Sequence, residues 1–194
     1  MNSFSHYMIG SYLNKYIKRE YGVRLCVGRF LYWNIMADFR KPFNLLSHKT
    51  DGWKSHLKSE IEALTGQNQT QTCFSPDYSK RLGVICHFYA DFFCYPHAEV
   101  YQGTFWQHIK YEWALYRFMQ KSFSTLSGID GDLTHNTCWD IRKINAIFET
   151  QQKVYLSAPP SFENDVVFTL HACLGAVTMI TRATAMASAA LSPT

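Results

Sequence analysis

The sequence predicts an all-α protein, one multi-helix domain spanning residues 1–194. Three observations carry this. Helix-starting and helix-stopping residues punctuate the chain throughout, and apolar residues recur at helical spacing between them. No segment alternates apolar and polar residues between hairpin turns, so strands are not expected.

In chain order, residues 3–20 carry Phe4, Met8, Tyr12 and Ile17 near helical spacing, and Gly22 supplies a stop. A second helix is expected over the apolar run from Phe30 to Met36. Asp38 follows, before Pro42 breaks the pattern. Thr50 can cap a helix to about Leu64, closed by Gly66, and a polar loop follows to Thr72. Ser75-Pro76-Asp77 combines a capping hydroxyl, a first-turn proline and a carboxylate that complements the helix dipole. The helix it starts should run to about Phe93, with Pro96 beyond it. Thr104 and Gln107 have capping-box spacing for a helix over 105–123. Gly128 and Gly131 mark a turn, and a further helix is expected from Asn136 to Tyr155. After Pro159-Pro160, Ser161 opens a long apolar helix toward Ala190. The Pro-Pro pair reads as a loop within one domain, because neither flank looks self-sufficient. The apolar stretch from Val166 to Ile180 is short and interrupted for a membrane span and reads as a buried helix.

Composition narrows the function. Hydrophobic residues at 47% and charged residues at 18% describe a globular chain, not a disordered one. A net charge of +4 without a basic stripe is a weak bias toward anions and does not indicate a nucleic-acid binder; Lys15, Lys18, Arg19 and Arg24 read as a solvated helix face. None of the six cysteines forms a C-x-x-C pair, which argues against a cysteine zinc knuckle or redox motif. Cys86 and Cys173 read as core thiols. The N-terminal segment lacks the pattern of a signal peptide, so reduced thiols and a cytoplasmic location are the expectation.

The histidines and carboxylates carry the chemistry. In ICHFYADFFCYPH, His87 and Asp91 are four residues apart and share a helix face, and His97 follows after the Pro96 break. In QHIKYE, His108 and Glu112 repeat the four-residue spacing on the next helix. One such pair is an ordinary helix-surface feature. Two on adjacent helices, with a fifth donor between them, suit a metal site in a bundle core. Imidazole and carboxylate favour zinc or another first-row metal, and a site poor in cysteine can leave a position open for water. Zinc there would make water nucleophilic near neutral pH, and paired ions can clamp both oxygens of a phosphoester displacement.

The order H-x3-D-x5-H followed by H-x3-E resembles the zinc-dependent phospholipases C, the family of secreted bacterial lecithinases and the catalytic half of clostridial alpha-toxin-like proteins. The likeness extends upstream. In NIMADFRKPFNLLSH, Asp38 and His48 stand at ligand positions, and His6 matches an early family histidine. The resemblance implies an all-α fold and two or three Zn2+ ions in a cleft. One ion would be held by Asp38, His48, His87 and Asp91, and a second by His97, His108 and Glu112. A third would share Asp91 with His6 and the chain's N-terminal amine and carbonyl. Asp38 is further implied as general base.

The resemblance therefore implies hydrolysis of phosphodiesters, with glycerophospholipid as substrate, transient contact with a membrane surface, and diacylglycerol and a phosphorylated head group as products. Two departures stand out. The secreted enzymes begin with a tryptophan whose backbone ligates zinc, whereas Met1 stands here; and Ala37 precedes Asp38 where related sequences often carry proline. The rival readings are a zinc nuclease or nucleotidase of similar fold, and a non-catalytic metal-binding homologue. Nucleases have His-x3-Asp where this chain has His108-x3-Glu112, which weighs against the first rival. His56 reads as solvent-facing, His135 as a turn residue and His171 as a core histidine. Tyr32, Trp33, Phe39 and Phe43 surround the Asp38 segment, where core packing is their expected role and binding of a quaternary ammonium head group the alternative.

Overall fold

The computed structural model describes residues 1–40, 50–67, 69, 72–127 and 141–190. The described helices are α1 (Ser3–Tyr21), α2 (Val27–Met36), α3 (Thr50–Thr65), α4 (Pro76–Phe92), α5 (Phe105–Ser127), α6 (Ile144–Ser157) and α7 (Phe162–Ala190). Short 3₁₀ turns cover Ala37–Phe39, Tyr95–His97 and Ile141–Lys143. The fold is all-α. Among the described residues, extended pairing is limited to an isolated bridge between Arg24 and Cys73.

The local signals act as their chemistry dictates. Asn2 caps α1 by accepting from the Ser5 amide at 3.0 Å, and Gly22 ends it at φ 64°, returning its N–H to the Lys18 carbonyl. Ser75 caps α4 through the Tyr78 amide. Thr104 and Gln107 form the reciprocal pair that opens α5, at 2.7 and 3.3 Å. The Ser161 hydroxyl accepts from the Asn164 amide at the start of α7.

Several expectations need correction. The buried stripe of α1 is Ile9, Leu13, Tyr16 and Ile17 together with Ser5 and His6, whereas Phe4 is exposed. Aromatic spacing suggested a stripe through Phe4, but the helix turns its polar His6 inward. Helix α2 begins at Val27, three residues before the apolar run, and α5 continues to Ser127. Gly66 closes α3 without a left-handed conformation, its N–H bonding the Glu62 carbonyl. Helix α6 starts at Ile144 after its 3₁₀ turn, and residues 136–140 lie outside the described residues.

Helix α7 packs along α1, α3, α4, α5 and α6 and forms the spine of the core. It spans the length expected from Ser161 toward Ala190. Contrary to the expectation from the Val166–Ile180 stretch, Phe162–Met186 is long and apolar enough to cross a membrane, yet 72% of its most apolar part is buried, as a core helix would be. Leu170, Cys173, Leu174, Val177 and Ile180 lie in the core. Helices α2 and α4 pack with their backbones close together. A Cβ on Gly83 would stand 2.4 Å from the Phe30 carbonyl oxygen, so only glycine lets the two backbones meet. That contact sets the ledge on which the next turn of α4 carries His87. Gly83→Ala should therefore cost about 1–3 kcal/mol and weaken metal retention. Urea denaturation with parallel zinc analysis checks this, and wild-type values in both would refute the role of the close approach.

Candidate metal centre

Five segments deliver donors to one point. Helix α4 supplies His87 and Asp91 from a single face, both fully buried. Helix α1 turns His6 inward, the 3₁₀ turn after α2 carries Asp38, and α5 presents His108 and Glu112 one turn apart. His97 sits on the turn that follows α4. Pro96 prevents the helix from continuing, and hydrogen bonds from the Cys94 amide to the Asp91 carbonyl and from the His97 amide to the Cys94 carbonyl fold the chain back.

Asp91 stands between two groups of donors. Its Oδ1 lies 3.2 Å from His6 Nε2 and also contacts the Met1 amine. Its Oδ2 lies 3.4 Å from His87 Nε2 and 3.8 Å from His97 Nδ1. Asp38 Oδ1 is 2.9 Å from His87 Nε2, and the His6 and His87 rings stack with centroids 4.1 Å apart. On the other side, Glu112 Oε1 is 2.8 Å from His108 Nε2 and 3.0 Å from His97 Nε2, with the Met1 amine at 3.2 Å. Donor atoms of His6, Asp38, His87 and Asp91 lie within 4.8 Å of one another, and so do those of Cys94, His97 and Glu112.

The electrostatics suit a cation. Burial, reinforced by the neighbouring charge of His87, pushes the His6 pKa down to about 4, so its ring is neutral at physiological pH. His6 is fully buried, its Nε2 faces the Asp91 carboxylate at 3.2 Å, and its Nδ1 has no hydrogen-bond partner, an arrangement that costs free energy unless a ligand is bound there. His87 Nδ1 lies 2.8 Å from the Asn34 carbonyl. A carbonyl only accepts, so Nδ1 carries the proton and donates, and the Nε2 face is turned toward two carboxylates. That is the usual orientation of a metal-ligating histidine. Burial opposes the imidazolium of His87, but Asp91 and Asp38 outweigh it and raise its pKa. Burial alone would raise all three carboxyls. The facing histidines and the amine hold Asp91 well below the usual range and lower Glu112, and the hydrogen bond from His87 lowers Asp38. Three ionised carboxylates among four imidazoles, with a neutral buried histidine facing one of them, are a donor set that fits zinc.

Of the residues singled out from sequence, His6, Asp38, His87, Asp91, His97, His108 and Glu112 converge, while His48 lies outside the described residues. His56 is not simply solvent-facing: it is half-buried on α3, 3.9 Å from Glu60. His171 is half-buried beside Phe168, away from the centre. Phe39 and Tyr32 are exposed, not packed in the core.

Two residues were missed. Cys94 is fully buried with its sulfur in the donor cluster, and burial raises its pKa despite the nearby amine. The spacing Cys94-x-x-His97 was the available signal. The second is Asp165, buried at the start of α7, which nothing in its sequence neighbourhood marks. It accepts from the Tyr155 hydroxyl at 2.7 Å, the Tyr111 hydroxyl at 3.0 Å and the Tyr95 amide at 3.2 Å. It thus ties α6, α5 and the His97 turn together one residue away from Glu112 and two from His97.

Burial raises the Asp165 pKa to about 6, above the value of 3.8 for an exposed carboxyl, even though its three donors oppose that shift. The folded state then holds this proton more tightly than the unfolded one. The resulting stability is fully present below about pH 4 and is lost as pH rises through about 6. At about 1.4 kcal/mol per pH unit, the stability of wild type minus that of Asp165→Asn should fall by roughly 3 kcal/mol between pH 4 and 7. Urea unfolding across that range reads the difference, and a flat difference would contradict it.

A cleft of about 380 Å³ opens onto the centre, lined by Asn2, Asp38, Phe39, His97, His108, Ile109 and Glu112 among others. His6, His87 and Asp91 lie behind it, fully buried. A larger hollow of about 690 Å³ beside α2, lined by Arg29, Tyr32, Trp33 and Arg40, has no histidine or carboxylate among the described residues lining it.

Comparison with curated proteins and with solved structures gave no match. Comparison with protein families did: the profile described as "Zinc dependent phospholipase C" matches residues 5–162, which include every donor above. All-α, with seven of its histidines and carboxylates gathered at and behind one cleft, this chain belongs to the zinc-dependent phospholipase C family.

Proposed function

We propose that the chain hydrolyses phosphodiesters as a phospholipase C, cleaving glycerophospholipid to diacylglycerol and a phosphorylated head group. The observation that carries this reading is the position of Asp38. Its carboxylate opens into the cleft while the ring it faces, His87, is fully buried behind it. Two or three zinc ions held by His6, Asp38, His87, Asp91, His97, His108 and Glu112, with His48 as a further donor, would supply Lewis acidity and an activated water.

The chain's own residues do the rest. Asp38, whose carboxyl is held below its usual pKa beside His87, accepts the proton of the attacking water at its carboxylate, which lines the cleft. Glu112, facing both His97 and His108, fixes those rings toward the cleft. Phe39 and Ile109 give the cleft an apolar rim suited to the glycerol and acyl portion of a lipid.

The test is elemental analysis of purified protein alongside hydrolysis of a chromogenic phosphodiester, of phosphatidylcholine and of single-stranded DNA. The expected result is two or three zinc per chain and chelator-sensitive release of diacylglycerol from phosphatidylcholine. Preferential cleavage of DNA would move the assignment to a nuclease. Bound zinc without hydrolysis of any of the three would overturn the catalytic reading.

A further inference from the structure

Helix α5 presents two different faces. One turns His108 and Glu112 to the metal centre and buries Leu115 and Met119 in the core. The outward face is amphipathic. At about 100° per residue, Phe105, Ile109, Trp113 and Trp106 follow one flank, and Lys110, Arg117 and Lys121 follow the next. Phe105 is 69% exposed and Trp106 71%, while the half-exposed Trp113 meets the ring of Phe4 from α1 at 5.7 Å. Scattered exposed aromatics are ordinary, but a run of them beside a cleft marks an interaction surface.

A groove of about 520 Å³ runs along this face, lined by Lys110, Trp113, Arg117, Phe118, Lys121 and Phe162 among others. No carboxylate is among the described residues lining it. Ile109 lines both this groove and the cleft that opens on Asp38, so the two are neighbours. A partner covering the groove would lie beside the mouth of the metal centre.

We propose that the outward face of α5 docks on an anionic phospholipid bilayer. The inference rests on the phospholipid reading of the site. Bulky aromatics beside clustered cations match the two layers of such a surface, acyl boundary and phosphate headgroups. The cations select an anionic bilayer over a zwitterionic one, and the aromatics hold the helix at the interface. Docked in this way, Phe105 and Trp106 insert beside the cleft and present the phosphodiester layer to Asp38.

The test uses the full zinc-loaded chain in vesicle sedimentation. Vesicles of phosphatidylcholine alone are compared with vesicles containing added phosphatidylserine, at low and high salt. Wild type should bind the phosphatidylserine vesicles and be released by salt. K110Q/R117Q/K121Q should bind them about 100-fold more weakly, since each cation near the surface contributes a factor of about five. F105S/W106S should lose binding to both kinds of vesicle. Equal wild-type affinity for the two kinds, or undiminished binding by the triple variant, would overturn the proposal. So would a cation-dependent affinity for a single-stranded oligonucleotide without vesicle binding.

Both variants should hydrolyse a soluble chromogenic phosphodiester at the wild-type rate, which separates docking from chemistry. Vesicle binding with the expected variant losses, in a protein that hydrolyses nothing, would support the docking face and refute only the catalytic reading.

Discussion

Asp91→Ala should yield a chain that has lost at least one zinc ion and about 3–5 kcal/mol of folding stability. Asp91 is fully buried and faces His6, His87 and His97 from its two oxygens. It reaches both donor groups, so its removal affects both. Breaking a buried ion pair from one side is costly because the remaining charges stay desolvated and uncompensated. Asp91→Asn keeps the shape and one acceptor oxygen and removes the charge, and it should lose less. Elemental analysis with urea denaturation checks both variants. Wild-type zinc content together with wild-type stability in Asp91→Ala would rule out a bridging role.

Asp38→Asn should behave differently because Asp38 stands at the edge of the site. Its carboxylate is partly open to the cleft, and an amide oxygen can still receive the hydrogen bond that His87 Nε2 makes when protonated. Most of the zinc and nearly all of the stability should remain. A proton acceptor contributes about 10²–10⁴ in rate, and hydrolysis should fall by a factor of that size through kcat, with KM nearly unchanged. Steady-state kinetics on a soluble phosphodiester, with zinc measured on the same sample, reads both quantities. Full activity in a zinc-replete Asp38→Asn protein would remove the carboxylate from the mechanism.

The sequence alone marks the α4 and α5 donors, because a helix converts spacing into direction. Residues four apart share a face wherever the helix sits, so His87 with Asp91 and His108 with Glu112 read as pairs before any packing is known. Caps and stops act through the adjacent backbone, and for that reason Gly22, Ser75, Thr104 and Ser161 mark their helix ends in the sequence. The all-α fold follows from the same local chemistry.

What only the tertiary structure decides is which segments meet. The inward turn of His6, with Phe4 left outside, depends on α1 packing against α2 and α4. His6 itself is marked by the family resemblance, while its burial is set by packing. The approach of Phe30 to Gly83 is a contact between residues far apart in the chain, and no local preference encodes it. Cys94 joins the donors only because its turn folds back toward Glu112. Asp165 is an ordinary first-turn acid until Tyr95, Tyr111 and Tyr155 close over it and desolvation raises its pKa. Local sequence sets the direction of each donor. Long-range packing sets the distances and the burial, and on these depend both the pKa shifts and the fit for zinc.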